Sequence, residues 1–392
     1  MDDRTRPILS SLEPSLPSRS YIDPEHYARE LDAIWYRSWL CVGRAEELAE
    51  PRQYKVVEVG SQSIVLTRDP EGRLHAFHNT CRHRGSLLCT EAHGRFRGNA
   101  IVFSYHGWTY SLAGELRGAP HQIRSPDFRT RDFSLYRVAV DSWGGFVFVN
   151  LLGDEAPPFA DVLEDLIGEL GNWSLEPLRV GRRVERTLAC NWKIYWENYM
   201  ECFHCPGVHP ELCRIVPLFG RGLQAEEDDP NWSPEAVDKR AAGLAPGAVT
   251  WTLDGTTELP ELPGLDDADR ERGHSFGTLL PNVFICAHVD HVRTGRLLPV
   301  SPEETLIVVE WLFPKEVLER GDPGLPERAT ALGALVLEQD ARVCELNQRG
   351  IRSIRHERGV LVPQEYPVRD FHRWLHGALE EAPPPDGQRA LR

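Results

Sequence analysis

Cys81-Arg82-His83 and, 23 residues after His83, His106 place one thiol and two imidazoles in a short stretch of chain. A second stretch, Glu197-Asn198-Tyr199-Met200-Glu201-Cys202-Phe203-His204-Cys205-Pro206-Gly207-Val208-His209-Pro210, adds carboxylates to the same chemistry. Thiolate, imidazole and carboxylate are the side chains that ligate transition metals. Glu197, Glu201 and His204, spaced four and three apart, share one face of a helix expected over residues 192–204. Cys205-Pro206-Gly207 ends that helix, and the turn there can fold His209 back toward His204. Two neutral imidazoles suit Fe, Zn, Cu or Ni alike, so a third ligand decides.

Asp340 is the candidate third ligand. Leu332 and Val336 lie eight and four residues before it and Val343 three after it, on or beside the apolar stripe of an expected helix over 326–348. A carboxylate in that place needs a partner. Two His and one Asp make the facial triad that leaves positions open for oxygen at Fe(II). The same set suits catalytic zinc, with Glu201 as general base, so a metal-dependent hydrolase stays open, although the spacing is not that of H-E-x-x-H. The nine cysteines are an odd number scattered over 392 residues, which argues against a disulfide framework. The single C-x-x-C, Cys202 to Cys205, has no second pair to complete a four-cysteine zinc site.

The elements that must position these groups fall into two styles. Residues 54–59, 63–67, 74–79, 100–104, 136–140 and 145–150 are short β-branched and aromatic runs separated by Gly, Pro, Asp or Asn, which predicts a small antiparallel β domain whose loops carry Cys81, His83 and His106. Before it, 24–40 has helical spacing. After it come a helix at 159–170, strands at 180–188, 278–287 and 305–312, and long excursions between 219 and 272 that are rich in Asp, Glu, Pro and Gly. The expected division is 1–40 lead and helix, 41–155 β domain, 156–380 larger domain and 381–392 disordered tail. The fold class is α+β. A formal charge of -15, from 44 basic and 59 acidic residues, lacks the footprint of a nucleic-acid or anionic-membrane binder. The absence of any apolar run near the ~18 residues of a membrane span, together with the polar start Met1 to Pro7, gives a cytoplasmic expectation.

The words Asn79-Thr80-Cys81-Arg82-His83-Arg84-Gly85 and Tyr105-His106-Gly107-Trp108-Thr109-Tyr110 resemble the Rieske domain of the Rieske non-haem iron oxygenases, whose pattern is C-x-H followed by C-x-x-H. Asn191-Trp192-Lys193 through His209-Pro210, with Cys344-Glu345 and Gln348-Arg349-Gly350, resemble the catalytic alpha subunit of the same family, in its ring-hydroxylating and glycine betaine oxygenase-like branch. The resemblance implies a 2Fe-2S cluster in which two cysteines hold one iron and two histidines the other. Cys81, His83 and His106 match that set. Phe103 stands where the second cysteine belongs and has no lone pair to give, leaving Cys89 as the nearest substitute thiol. It further implies mononuclear non-haem Fe(II) on His204, His209 and Asp340, and matches Glu201 to the carboxylate that bridges toward a neighbouring subunit's Rieske histidine. The implied fold is a Rieske-type β domain plus a catalytic domain with an antiparallel sheet flanked by helices. The implied activity is hydroxylation or oxidative demethylation of a small organic substrate with O2, served by an NAD(P)H-dependent reductase in a homotrimer. Glu at 201 leans toward methylammonium substrates, with aromatic acids as runner-up. A catalytically silent, small-molecule-binding subunit is the other outcome the missing cysteine leaves open.

Overall fold

The computed structural model describes residues 8–381 apart from 122, 124, 168–169, 226–227 and 229–242. It forms two compact units, one of Ile34–Glu164 with Leu280–Asn282, the other of Met1–Ala33, Asp165–Leu279 and Val283–Arg392. The larger unit begins with a strand, β1 (Glu13–Pro17).

The smaller unit is the expected β domain. It contains β2 (Leu40–Arg44), β3 (Gln53–Val59), β4 (Gln62–Arg68), β5 (Leu74–His78), β6 (His93–Arg95), β7 (Ala100–Val102), β8 (Thr109–Ser111), β9 (Leu116–Gly118), β10 (Arg137–Trp143) and β11 (Phe146–Asn150). Seven of them make one antiparallel sheet in the order β2-β11-β10-β5-β4-β3-β6, and β7-β8-β9 make a second. In β3 the buried Val57 and Val59 flank exposed Glu58, the alternation of a strand with one wet face. In β11 all five residues are buried, so its apolar run is continuous. The expected helix at 24–40 is shorter. Asp23 caps it by accepting from the Glu25 N–H at 2.9 Å, it runs Pro24–Glu30, and a π turn follows at Leu31–Trp35. Leu40 instead pairs with Val149 in the sheet, where ladder hydrogen bonds outweigh the helical spacing.

The larger unit holds β12 (Leu178–Leu188), β13 (His274–Leu279), β14 (Val283–His288), β15 (Val292–Ser301) and β16 (Glu304–Pro314), an antiparallel sheet in the order β12-β16-β15-β14-β13. The run expected at 278–287 is a hairpin, broken at Leu280–Asn282 because Pro281 has no N–H to give a ladder. The helix expected at 326–348 is two, Leu325–Ala329 and Ala331–Ile351. β1 pairs with β17 (Arg358–Leu361), Glu13 opposite Leu361, and a helix Tyr366–Glu381 follows. Residues 382–392 of the expected tail lie outside the described residues. No helix among the described residues is long and apolar enough to cross a membrane.

Against this sheet packs the helix Trp192–Tyr199, whose N-terminus is capped by the Asn191 side chain. Its Lys193 is buried against Glu30, with Nζ to Oε1 at 2.7 Å and both side chains at 0% exposure. The Trp192 indole donates to the other Glu30 oxygen at 2.9 Å. Burial pushes the Glu30 carboxyl up, and Lys193 with His26 more than reverses this, holding it below the usual carboxylate range. Removing one member leaves an uncompensated buried charge, so Glu30→Gln is expected to cost about 3–5 kcal/mol in chemical denaturation. A loss within ~0.5 kcal/mol of wild type, the range of ordinary surface changes, would show that the pair does not hold the helix.

Candidate metal centres

In the smaller unit two loops are built alike. The Gly85 N–H donates to the Cys81 carbonyl at 2.9 Å, and the Gly107 N–H to the Phe103 carbonyl at 3.0 Å, each closing a turn of five residues. Both glycines have positive φ, 75° and 72°, which a residue with a Cβ adopts at a cost. Phe103 is therefore the counterpart of Cys81 in backbone construction as well as in spacing. His83 and His106 bring their Nδ1 atoms to 3.1 Å with the rings edge to face, and His83 stacks on Trp108. Cys81 Sγ lies 3.4 Å from the Tyr110 hydroxyl. Cys81, Cys89, Phe103, Trp108 and Tyr110 share one buried apolar cluster. Cys89 is fixed by Asn79, whose carboxamide oxygen accepts from the Leu88 and Cys89 N–H groups, and burial pushes its thiol up to about 12.

In the larger unit the helix that begins at Trp192 stops at Tyr199, not at His204. A proline at 206 removes a helical hydrogen bond to the carbonyl of residue 202 and crowds it, but is welcome in the first turn of a new helix. The chain accordingly turns through 200–204 and restarts as Cys205–Val208 and Pro210–Ile215. Glu197 is thus on the helix, where its carboxylate meets the Tyr21 hydroxyl at 2.7 Å and His372 Nε2 at 2.8 Å, while Glu201 and His204 sit in the turn. Cys202 and Cys205, the single C-x-x-C, are joined by a disulfide that brackets His204, although the odd and scattered cysteine count argues against a disulfide framework.

His204 Nε2 and His209 Nε2 lie 3.2 Å apart, and Asp340 Oδ1 is 2.8 Å from the second and 3.5 Å from the first. The remaining ring nitrogens are held from outside. His204 Nδ1 is 2.5 Å from Glu201 Oε1, and His209 Nδ1 is 2.8 Å from Gln339 Oε1, whose own amide donates to Glu211 at 3.1 Å. Outer partners of this kind fix ring orientation and raise ligand basicity. Burial alone would lower the His204 imidazole; hydrogen bonds to Asp340 and Glu201 outweigh it and hold its pKa at about 9. Three donor atoms converging in a partly buried place, with each imidazole oriented by a further group, fit a divalent metal.

Beside them is a cavity of about 230 Å³, lined by Tyr199, Phe219, Trp251, Phe276, Thr278 and Arg293 as well as the three ligands. Trp192 and Trp196 of the aromatic run are core, whereas Tyr199 reaches the cavity. Sequence reasoning missed the rest of the lining. Phe276 and Arg293 face it because they pair with Cys286 across three strands, a relation that only the register reveals.

A β domain presenting imidazoles on matched loops and a helix-and-sheet domain converging two His and one Asp define a class, the Rieske-type non-haem iron oxygenases. Residues 175–381 match the ring-hydroxylating alpha subunit catalytic domain and residues 38–130 the Rieske [2Fe-2S] domain, so the chain belongs to this oxidoreductase family. It is 34% identical to the glycine betaine monooxygenase oxygenase subunit of Chromohalobacter salexigens, over 93% of this chain and 86% of that one. It is 28% identical to the chloroplastic choline monooxygenase of Beta vulgaris, over 93% and 77%. In fold it is similar to the quaternary ammonium Rieske monooxygenase CntA, with a TM-score of 0.70 at 23% identity, covering 95% and 96% of the two chains. The family hydroxylates or demethylates small substrates with O2 and draws on a reductase, which removes the ground for a hydrolase. Its two domains imply a Rieske cluster and a mononuclear non-haem iron. The donor set at His204, His209 and Asp340 fits the iron. At the cluster position Cys81, His83 and His106 fit and Phe103 does not.

Proposed function

We propose that this oxygenase acts on a small methylammonium compound, hydroxylating an N-methyl carbon so that the product loses formaldehyde and leaves the demethylated amine. The observation that carries this reading is the wall of the cavity beside Asp340, which Tyr199, Phe219, Trp251 and Phe276 line with aromatic rings, the side chains that hold quaternary ammonium groups. The cavity is below the roughly 300–1,000 Å³ usual for drug-sized ligands, which disfavours polycyclic substrates. Each methyl oxidised takes up O2, two electrons and two protons and releases water. His204, His209 and Asp340 would hold the iron, which would supply the oxygen activation. Glu201 keeps His204 in orientation and, by its place in the family motif, would face a neighbouring subunit's Rieske histidine; because Phe103 leaves that cluster incomplete, the two electrons must come from a separate partner or a co-substrate. We extend the reading to a homotrimer, an NAD(P)H-dependent reductase, cytoplasmic residence, and functional domains over 41–155 and 156–380, on the strength of the family resemblance.

A second reading, a catalytically silent binding subunit, is favoured by Phe103. Both readings meet one experiment, a thermal-shift screen of methylammonium compounds and carboxylated aromatics followed by oxygen uptake with a supplied reductant. Stabilisation and uptake with the first class are expected. Turnover of carboxylated aromatics alone would overturn the substrate class, and binding without turnover would favour the silent subunit.

A further inference from the structure

Arg293 is a buried charge that the oxidation chemistry leaves unused. It lies on β15 between Cys286 of β14 and Trp311 of β16, is 8% exposed, and lines the cavity beside the three metal ligands. Its guanidinium carbon is 5.9 Å from the ring centres of both Trp251 and Phe284, and its Nε has no hydrogen-bond partner. Lys193 and Arg296, also buried, each have a carboxylate, Glu30 and Glu310, at 2.7 Å. Among the described residues none stands at ion-pair distance from Arg293. Of the acidic groups around it, burial keeps Cys286, Tyr199 and Tyr195 in their neutral forms, and Asp340 is committed to two imidazoles.

A guanidinium does not shed its proton to escape burial. A buried charge is tolerated where a counter-charge meets it, and this one lines the cavity beside the metal ligands. Its planar fork matches a carboxylate with two parallel hydrogen bonds. We infer that Arg293 anchors the carboxylate of a zwitterionic substrate whose methylammonium group sits among Tyr199, Phe219, Trp251 and Phe276. This rests on the methylammonium reading above and narrows it to betaines. An alcohol such as choline brings a positive charge toward the guanidinium with nothing to neutralise it, so the same residue that accepts one ligand rejects the other.

The test is calorimetry on the full-length protein under anaerobic conditions with four ligands: glycine betaine, choline, and their uncharged-carbon counterparts tert-butylacetate and tert-butylethanol. Betaine is expected to bind at least roughly tenfold tighter than choline, and tert-butylacetate tighter than tert-butylethanol by a similar factor, since each pair differs by one charge-assisted contact. Arg293→Gln should abolish both preferences and Arg293→Lys should keep part of them. Equal binding within both pairs by the wild type, or preferences that survive in Arg293→Gln, overturn the anchor. Equal binding of betaine and tert-butylacetate overturns the ammonium reading instead, and no binding by any of the four overturns both. The wild-type comparisons decide the matter even if Arg293→Gln does not fold.

Discussion

After anaerobic preparation with iron and sulfide supplied, the protein is expected to lack stoichiometric acid-labile sulfide and a Rieske-type EPR signal, and Phe103→Cys is expected to gain both. The argument is one of ligand count. The iron on the cysteine side needs two thiolates, and His83 and His106 serve the other iron, so their presence does not compensate. Cys81 gives one thiolate; the matched turn that should give the other ends in a phenyl ring packed among Cys81, Cys89 and Trp108. Cys89 is a poor replacement. Metals bind the thiolate, and burial pushes this thiol up to about 12, while two backbone hydrogen bonds to Asn79 keep its segment in place. Phe103→Cys removes a ring from the core and costs about 3 kcal/mol by cavity reasoning, part of which a bound cluster returns. Two sulfides per wild-type chain with a Rieske signal would show that Cys89 or a non-sulfur donor completes the set.

His209→Ala and Asp340→Ala are each expected to reduce iron from about one per chain to near none, and oxygen uptake with it, while far-ultraviolet circular dichroism stays that of the wild type. Both atoms face one point, so losing either leaves two donors where three define the facial triad. Gln339→Ala provides the graded control. Of the three ligand side chains, Gln339 bonds only His209, at Nδ1, and loss of such an outer partner typically weakens metal binding by roughly 10–100-fold without abolishing it. Glu201→Gln keeps an acceptor for His204 Nδ1 and should leave iron stoichiometry intact while lowering turnover. Full iron content in both alanine variants would place the metal elsewhere.

How far the sequence reveals these centres depends on the range of the interactions involved. The short β runs around Cys81 and His106 are legible because alternation and turn residues act locally, and Phe103 is legible because the C-x-x-H spacing fixes where the absent cysteine should stand. The convergence of His204 and His209 with Asp340 is readable from ligand chemistry and the family words, but not its geometry. The helix end at Tyr199 was not, since Pro206 both forbids a continued helix and suits a new one, and composition does not choose between them. The pairing of Glu13 with Leu361 joins the two ends of the chain and leaves no local trace. Arg293 was hidden for a related reason. A lone arginine in a strand reads as a solvated face until the register places it opposite Cys286.

Gln339 and Asp340 are successive residues of one helix, and between them they address the two nitrogens of a single imidazole, His209 Nδ1 and Nε2, each at 2.8 Å. Such a grip tolerates no slippage, because advancing the helix by one residue rotates its side chains by about 100° and withdraws both partners together. Ligand field and helix register are thereby the same degree of freedom. Metal bound by His204, His209 and Asp340 would accordingly act as a latch on Ala331–Ile351, adding its binding free energy to the opening free energy of that helix and of the strand β12 that it contacts. Starved of iron, the enzyme would fray from its catalytic centre outward, and quality control would recognise the unloaded protein by its breathing rather than by its lost activity.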